Sequence, residues 1–213
     1  MKILAVSDTH GDRDILAAIL KQQPNLDGYF YAGDSELPAN DPLFKIYRAV
    51  AGNMDFDPDF PMTVTATIDN TTIFMTHGHR FGVNFGLDKL VAAGEAAHAR
   101  LVIFGHTHQL GVEEHAGMIV LNPGSISQPR GQFANLGGTY ATVTFTSDQI
   151  HVDFLKRDGS IVAPVSYTHL RAHETEADLV CRLLLEKKKK KKKTTKTMEI
   201  NKIQVNITCI KIN

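Results

Sequence analysis

The sequence predicts a layered α/β sandwich, and three observations predict it. Short apolar, β-prone runs recur along about the first 160 residues, each closed by glycine or a polar residue, as buried strands are. Helix-periodic segments separate the early runs and turn signals separate the late ones, so crossovers give way to hairpins. Five of the runs end in residues that ligate metals, at the edge where ligand sites gather in open α/β sheets.

Taken in order, Ile3-Leu4-Ala5-Val6 is the first strand, followed directly by Ser7-Asp8-Thr9-His10-Gly11-Asp12. If the chain stays extended there, Asp8 and His10 point to the same side and can grip one cation. Gly11 permits a turn, and Asp12 has the chemistry of an N-cap. Residues 14–23 then place Ile15, Leu16, Ala18, Ile19 and Leu20 at helical spacing before Pro24. Residues 28–32 are the second strand, ending in Gly33-Asp34, and residues 45–50 the third, ending in Ala51-Gly52-Asn53. Residues 62–68 and 72–76 alternate as an antiparallel hairpin around Asp69-Asn70, and the second of them ends in His77-Gly78-His79. A helix over about 87–99 carries Leu87, Leu90, Val91 and Gly94 on one stripe. Residues 101–104 form a buried strand that ends in Gly105-His106-Thr107-His108, and residues 118–121 run into Asn122-Pro123-Gly124-Ser125. Residues 139–145 and 150–155, with a turn near Ser147-Asp148, are the last two strands.

Charge divides the chain. Residues 1–165 carry 11 basic and 18 acidic side chains, net −7, whereas residues 166–213 carry 12 and 5, net +7. The first part has no cysteine, which excludes a disulfide framework or thiolate metal site there; Cys181 and Cys209 lie in the second. Its acidic balance, with no basic face, argues against a nucleic-acid partner. With no signal-peptide pattern ahead of the first strand and no bilayer-length apolar stretch, a cytoplasmic protein without a membrane partner is expected. Residues 1–165 read as one folded domain. Residues 166–213, with lysine at every position from 187 to 193, read as a low-complexity tail, disordered or an artefact of the gene model. His169, His173 and the lysine block are therefore kept out of the site and out of any partner assignment. Oligomeric state is left open.

The strand ends deliver Asp8 with His10, Asp34, Asn53, His77, and His106 with His108. Histidine, carboxylate and amide together suit Mn, Fe, Zn or Ni better than a pure oxygen site for Ca or Mg. Seven donors exceed one tetrahedral zinc and match two metals sharing a carboxylate, with Asp34 the natural bridge. Four positive charges against two carboxylates favour a phosphate ester, whose oxygens such a pair can clamp while a bridging water becomes nucleophilic at neutral pH.

In this order, Asp8-Thr9-His10, Gly33-Asp34, Gly52-Asn53, His77-Gly78 and Gly105-His106-Thr107-His108 resemble the five motifs of the calcineurin-like metallophosphoesterases. The resemblance implies a four-layer α/β/β/α sandwich of two mixed sheets with a dinuclear centre between them, Mn first among the metals. It places Asp8, His10, Asp34 and His108 on one metal and Asp34, Asn53, His77 and His106 on the other. It implies a hydrolase in which Asp8, Asp34, Asn53 and His77 hold the metals around a bridging hydroxide. The small size and the Asn122-Pro123-Gly124-Ser125 segment resemble the compact YfcE-like phosphodiesterase branch. One departure matters: many members carry a proton-donating His after Gly-Asn, where Met54 stands here. Met transfers no proton, so a small phosphodiester with an acidic leaving group is the expected substrate, and His79 is the nearest substitute donor. The alternatives are a phosphomonoesterase of the same fold, or a non-catalytic metal-binding scaffold resembling the retromer subunit.

The remaining polar residues have ordinary expectations. Arg13 and Arg130 are read as surface salt-bridge residues rather than phosphate ligands. His98, His115 and His151 are exposed or capping, and Asp55, Asp57 and Asp59 belong to a polar surface loop held by Phe56 and Phe60.

Overall fold

The computed structural model describes residues 1–147 and 149–168, with side chains through residue 162. The strands are β1 (Lys2–Val6), β2 (Gly28–Tyr31), β3 (Tyr47–Ala49), β4 (Thr63–Ile68), β5 (Thr71–Thr76), β6 (Leu101–Ile103), β7 (Gly111–His115), β8 (Met118–Asn122), β9 (Thr139–Phe145), β10 (Gln149–Lys156) and β11 (Ile161–Thr168). They form a six-stranded sheet, order β11-β10-β9-β1-β2-β3, and a five-stranded sheet, order β4-β5-β6-β8-β7. Both sheets are mixed: β1, β2 and β3 run parallel, as do β5, β6 and β8, and the flanking strands are antiparallel. The helices are α1 (Arg13–Gln22) and α2 (Asp88–Ala96).

Period-2 alternation makes the layers. Along β1, Ile3 and Ala5 face one way and meet Ile73, Met75, Leu101 and Ile103 of the other sheet, which forms the central core. Leu4 and Val6 face the other way, onto Ile15, Leu16 and Ile19 of α1. On the far side, Phe74, Val102 and Val120 receive Leu90 of α2. The result is helix, sheet, sheet, helix, the four-layer arrangement expected. α1 begins as its sequence asks: the Asp12 side chain accepts from the Ile15 amide at 3.2 Å.

Several elements differ from expectation. Residues 42–45 form a 3-10 turn capped by Asp41, which shortens the third strand to Tyr47–Ala49. α2 stops at Ala96 because His98 turns left-handed, φ +52°. β7 was not expected from the sequence because Glu113-Glu114-His115 lacks alternation and its turn, Ala116-Gly117, carries no asparagine. β11 pairs with β10 as far as Thr168, across the expected domain edge at 165. The expectation for the rest of the tail, 169–213, lies outside the described residues. No described helix is long and apolar enough to cross a membrane.

The parallel strands of each sheet deliver their carboxyl ends to one rim. Hydrogen bonds join neighbouring strand ends within each rim, and the Ser125 hydroxyl ties one rim to the other. Asp8 N–H donates to Gly33 O at 3.0 Å, Gly105 N–H donates to His77 O at 3.0 Å, and the Ser125 hydroxyl donates to Asp8 O at 2.8 Å.

Candidate metal centre

The site residues are aimed by turns. Asp8 (φ +58°), His10 (+47°), Asp34 (+58°), His106 (+67°) and His108 (+58°) all have left-handed backbone. This corrects the extended-chain expectation for Asp8 and His10: β1 ends at Val6, and they converge through consecutive bends. Such conformations cost non-glycine residues about 1–3 kcal/mol each and persist only where the surroundings over-determine them. Here they do. His10 N–H donates to Asp34 O at 3.1 Å, and the buried Tyr31 hydroxyl receives Thr9 N–H at 3.1 Å while donating to Asp34 O at 3.0 Å.

Asp55 holds the same junction from the other side. Its carboxylate accepts the amides of Asp34, Ser35, Glu36 and Gly52 and the Ser35 hydroxyl, each at 2.8 Å. The polar-surface-loop expectation for Asp55 is therefore corrected. Only one of the two flanking aromatics anchors that loop: Phe60 packs edge-on to Phe44, whereas Phe56 is 88% exposed. Nothing in local sequence distinguishes Asp55 from Asp59, because all its partners but the Gly52 amide arrive from another loop.

The side chains of all seven predicted residues come together. Asp8, His10, Asp34 and His108 each offer a ligand atom within 4.8 Å of the others. His77 Nε2 lies 3.3 Å from Asp34 Oδ2 and 3.1 Å from Asn53 Oδ1, and His106 Nδ1 lies 2.8 Å from Asn53 Oδ1. Asp34 thus stands between two groups of donors, its Oδ1 receiving Met54 N–H at 2.8 Å. Asp8, Asp34, His77 and His108 are buried at the base, while Asn53 is exposed at the mouth.

Outer contacts aim the imidazoles. His77 Nδ1 donates to Ala32 O and His108 Nδ1 to Gln128 O, both at 2.7 Å, and His10 Nδ1 donates to Glu36 at 2.8 Å. Each ring thereby presents Nε2 to the centre. His106 is reversed: Asn84 holds its Nε2 at 3.0 Å, and Nδ1 points inward. The carbonyl and carboxylate partners of His77, His108 and His10 fix the tautomer that leaves Nε2 free to ligate. Asn84 Nδ2 instead donates to His106 Nε2 and leaves the proton on Nδ1, so ligation through Nδ1 requires the other tautomer.

The residues fit cations. Both Asp8 oxygens are fully buried and lack a hydrogen-bond partner among the described residues; His108 Nε2 is 3.3 Å from Oδ1 without hydrogen-bond geometry. A buried unpaired carboxylate is costly unless a positive charge meets it. The local field agrees: burial pushes the His77 and His108 pKa values down, yet the adjacent Asp34 and Asp8 carboxylates raise both above the ordinary histidine value. Burial likewise raises Asp34, but His77 and the Met54 amide hold it below the ordinary carboxylate value. Close approach needs glycine at two points: a Cβ on Gly52 would collide with Asp34 Oδ1, and one on Gly105 with Ser7 Oγ and, at 2.9 Å, Asp8 Oδ2.

His79 sits beside this cluster, its ring centroid 5.4 Å from His77 and 6.1 Å from His106, with Nδ1 buried and without a hydrogen-bond partner among the described residues. Burial, reinforced by His77 and His106, pushes its pKa down. Arg13 is spent in a two-pronged pair with Asp41 at 2.7 and 3.0 Å, as expected of a surface salt bridge. Arg130 is exposed, its amide donating to His108 O at 2.9 Å. His98 is exposed, His115 lies beside Glu113, and His151 lies beside Asp153. The Asn122-Pro123-Gly124-Ser125 turn acquires a role: Asn122 Nδ2 donates to Gly105 O at 2.9 Å and Thr107 Oγ1 at 3.0 Å, bracing the loop of His106 and His108.

Comparison with known proteins agrees with this geometry. The calcineurin-like phosphoesterase superfamily domain matches residues 1–148. The Bacillus subtilis protein named "Probable metallophosphoesterase YsnB" is 34% identical over 161 residues, 75% of this chain and 94% of that protein. "Phosphodiesterase YfcE" of Escherichia coli is 27% identical over 195 residues, 78% of this chain and 98% of that one. Among solved structures, a conserved Streptococcus pneumoniae protein described as a predicted phosphoesterase superposes with a TM-score of 0.76 at 34% identity, covering 79% of this chain and 97% of that one. A Vps29 variant from Entamoeba histolytica, 18% identical with a TM-score of 0.63, covers 79% of this chain and 100% of its own, and shows the fold alone.

Proposed function

Because the chain belongs to the calcineurin-like phosphoesterase superfamily, we propose that it hydrolyses phosphate esters with two divalent metal ions, Mn foremost, and acts on diesters ahead of monoesters. One observation carries the reading: His10, Asp34 and His108 gather around a buried Asp8 carboxylate that has no hydrogen-bond partner among the described residues, and His77, Asn53 and His106 extend the cluster from Asp34. When bound, such ions clamp phosphoryl oxygens and lower the pKa of water.

The chain's own residues do the rest. Asp8, His10, Asp34 and His108 would hold one ion, and Asp34, Asn53, His77 and His106 the other. Ala32 O, Gln128 O and Glu36 accept from Nδ1 of their histidines and leave Nε2 free to ligate, and Asn84 positions the His106 ring through its Nε2. The Met54 amide orients Asp34 through Oδ1. The Met54 side chain, 41% exposed beside Asn53, has no proton to give a departing oxygen. A poor alkoxide leaving group therefore stays hard to expel, and His79 is the imidazole next in reach to assist. The phosphodiester preference rests on this residue and on the name of the Escherichia coli relative.

The test is turnover by the Mn-loaded protein across bis-aryl diesters, aryl monoesters and alkyl monoesters. Bis(p-nitrophenyl) phosphate should be favoured, and log kcat should fall steeply with leaving-group pKa. Met54→His should flatten that slope, since general acid help is typically worth about 10²-fold or more. A flat slope in the parent would assign the proton to another group, for which His79→Ala is the next variant. A metal-loaded protein inactive on every ester would favour the scaffold that shares this fold.

A further inference from the structure

A groove of about 580 Å³ opens beside the metal centre, lined by Glu36, Leu37, Pro38, Met54, Phe56 and Asp57, with Pro58 at its end. Its volume is in the range of small-ligand sites, about 300–1,000 Å³. Two of its residues are joined to the centre itself. Met54 follows Asn53 and donates its amide to Asp34, and Glu36 holds His10. Through Met54 and Glu36 the groove adjoins the residues that would hold the metals.

Its chemistry is mixed in a telling way. Phe56 and Met54 leave 88% and 41% of their surface in water, an unfavourable exposure for large apolar side chains so close together. The Asp55 carboxylate between them is turned away, accepting the amides of Asp34, Ser35, Glu36 and Gly52. Asp57 is braced by the amides of Ala39 at 2.8 Å and Asp59 at 3.0 Å, which hold its carboxyl below the usual range. The floor thus offers an apolar face while the rim keeps negative charge. A second phosphate or a carboxylate would be repelled there, and an uncharged aromatic ring would cover Phe56 and Met54.

We propose that this groove is the subsite for an uncharged aromatic group esterified to the substrate phosphate, with Phe56 and Met54 as its specificity-determining wall. The proposal rests on the phosphoesterase reading above. The enzyme would then take small phosphodiesters bearing a planar, neutral ring, and would discriminate against esters whose second group is small or anionic.

Diphenylphosphinate and dimethylphosphinate test it, since both carry one negative charge and neither has an ester bond to break. The sequence contains no tryptophan, so Phe56→Trp places a single indole in the groove. With the Mn-loaded full chain, diphenylphosphinate should change that emission saturably, at concentrations about tenfold lower than dimethylphosphinate requires. In the parent protein, diphenylphosphinate should inhibit diester hydrolysis about tenfold better than dimethylphosphinate, and Phe56→Ser should reduce that ratio to about two or less. Equal response to both phosphinates, or a ratio unmoved by Phe56→Ser, overturns the subsite. The emission titration needs no turnover. Selective diphenylphosphinate binding by a protein that hydrolyses nothing would sink the phosphoesterase reading and leave the subsite standing. Hydrolysis with no aryl selectivity would do the reverse.

Discussion

Asp34 is the residue on which the two halves of the centre depend. Its Oδ2 faces His77 at 3.3 Å, it shares the close cluster with Asp8, His10 and His108, and Met54 N–H fixes its Oδ1. If it bridges two ions, Asp34→Asn should lower bound Mn well below the roughly two ions per chain expected of the parent by elemental analysis. The variant should also lose most of the Mn-induced rise in melting temperature, which reflects about 2.7 kcal/mol at a metal concentration 100 times Kd. His108→Ala touches one group of donors and should keep about one ion. Equal losses in the two variants would refute the sharing. Asp55 acts from behind the donors, through the loop backbone. Asp55→Ala leaves four loop amides without their acceptor and should cost about 2 kcal/mol or more in a denaturant melt, with Asp55→Asn recovering part of it.

At the scale of elements, the turns do the aiming and the strands hold the distance. β1 and β6 are short buried rods, and each gives way to left-handed bends whose positions are set by contacts from other loops. The β7–β8 hairpin is a simpler case of the same conformation, with Ala116 at φ +50° and Gly117 at +82°. No contact to the metal centre asks for alanine there, and left-handed backbone costs an L-residue about 1–2 kcal/mol. Ala116→Asn installs the Asn-Gly pair that such hairpins prefer and should raise stability by about 0.5–1 kcal/mol without changing Mn binding. A thermal melt at fixed Mn would show it, and an unchanged or lower midpoint would mean the hairpin tolerates alanine through interactions beyond the turn.

Across the whole molecule, two sheets close on a single apolar centre, and the metal site lies at the rim where parallel strands of both end. β10 contributes Ile150, Val152 and Phe154 to that centre and is covered at its outer edge by β11. Because β11 pairs with β10 as far as Thr168, the cut to test lies after 168. A chain ending at Thr168 should keep the melting temperature and the Mn response of the full protein. One ending at Ser160 bares β10 and should melt markedly lower or without cooperativity. Loss of the cooperative melt on cutting after 168 would show that the remainder supports the fold.

Local patterns in the chain already say which donors exist and which edge they occupy. Alternation along Ile3-Leu4-Ala5-Val6, the Asp12 cap and the polar stops after each apolar run are such patterns, so the layers and the order Asp8, His10, Asp34, Asn53, His77, His106, His108 were legible without a structure. β7 and β11 were not legible, since edge strands lie partly in water and need no alternating face. How the donors meet is a matter of tertiary contact. The bends at Asp8, His10, Asp34, His106 and His108 are unfavourable alone and exist because distant groups hold them. Tyr31, Asp55, Asn122 and Ser125 reach the segments that carry them across 22, 21, 17 and even 117 residues of chain. Asp55 reads in sequence as a loop carboxylate. It becomes an organiser when folding brings four amides to it, and that is a property of the assembled rim.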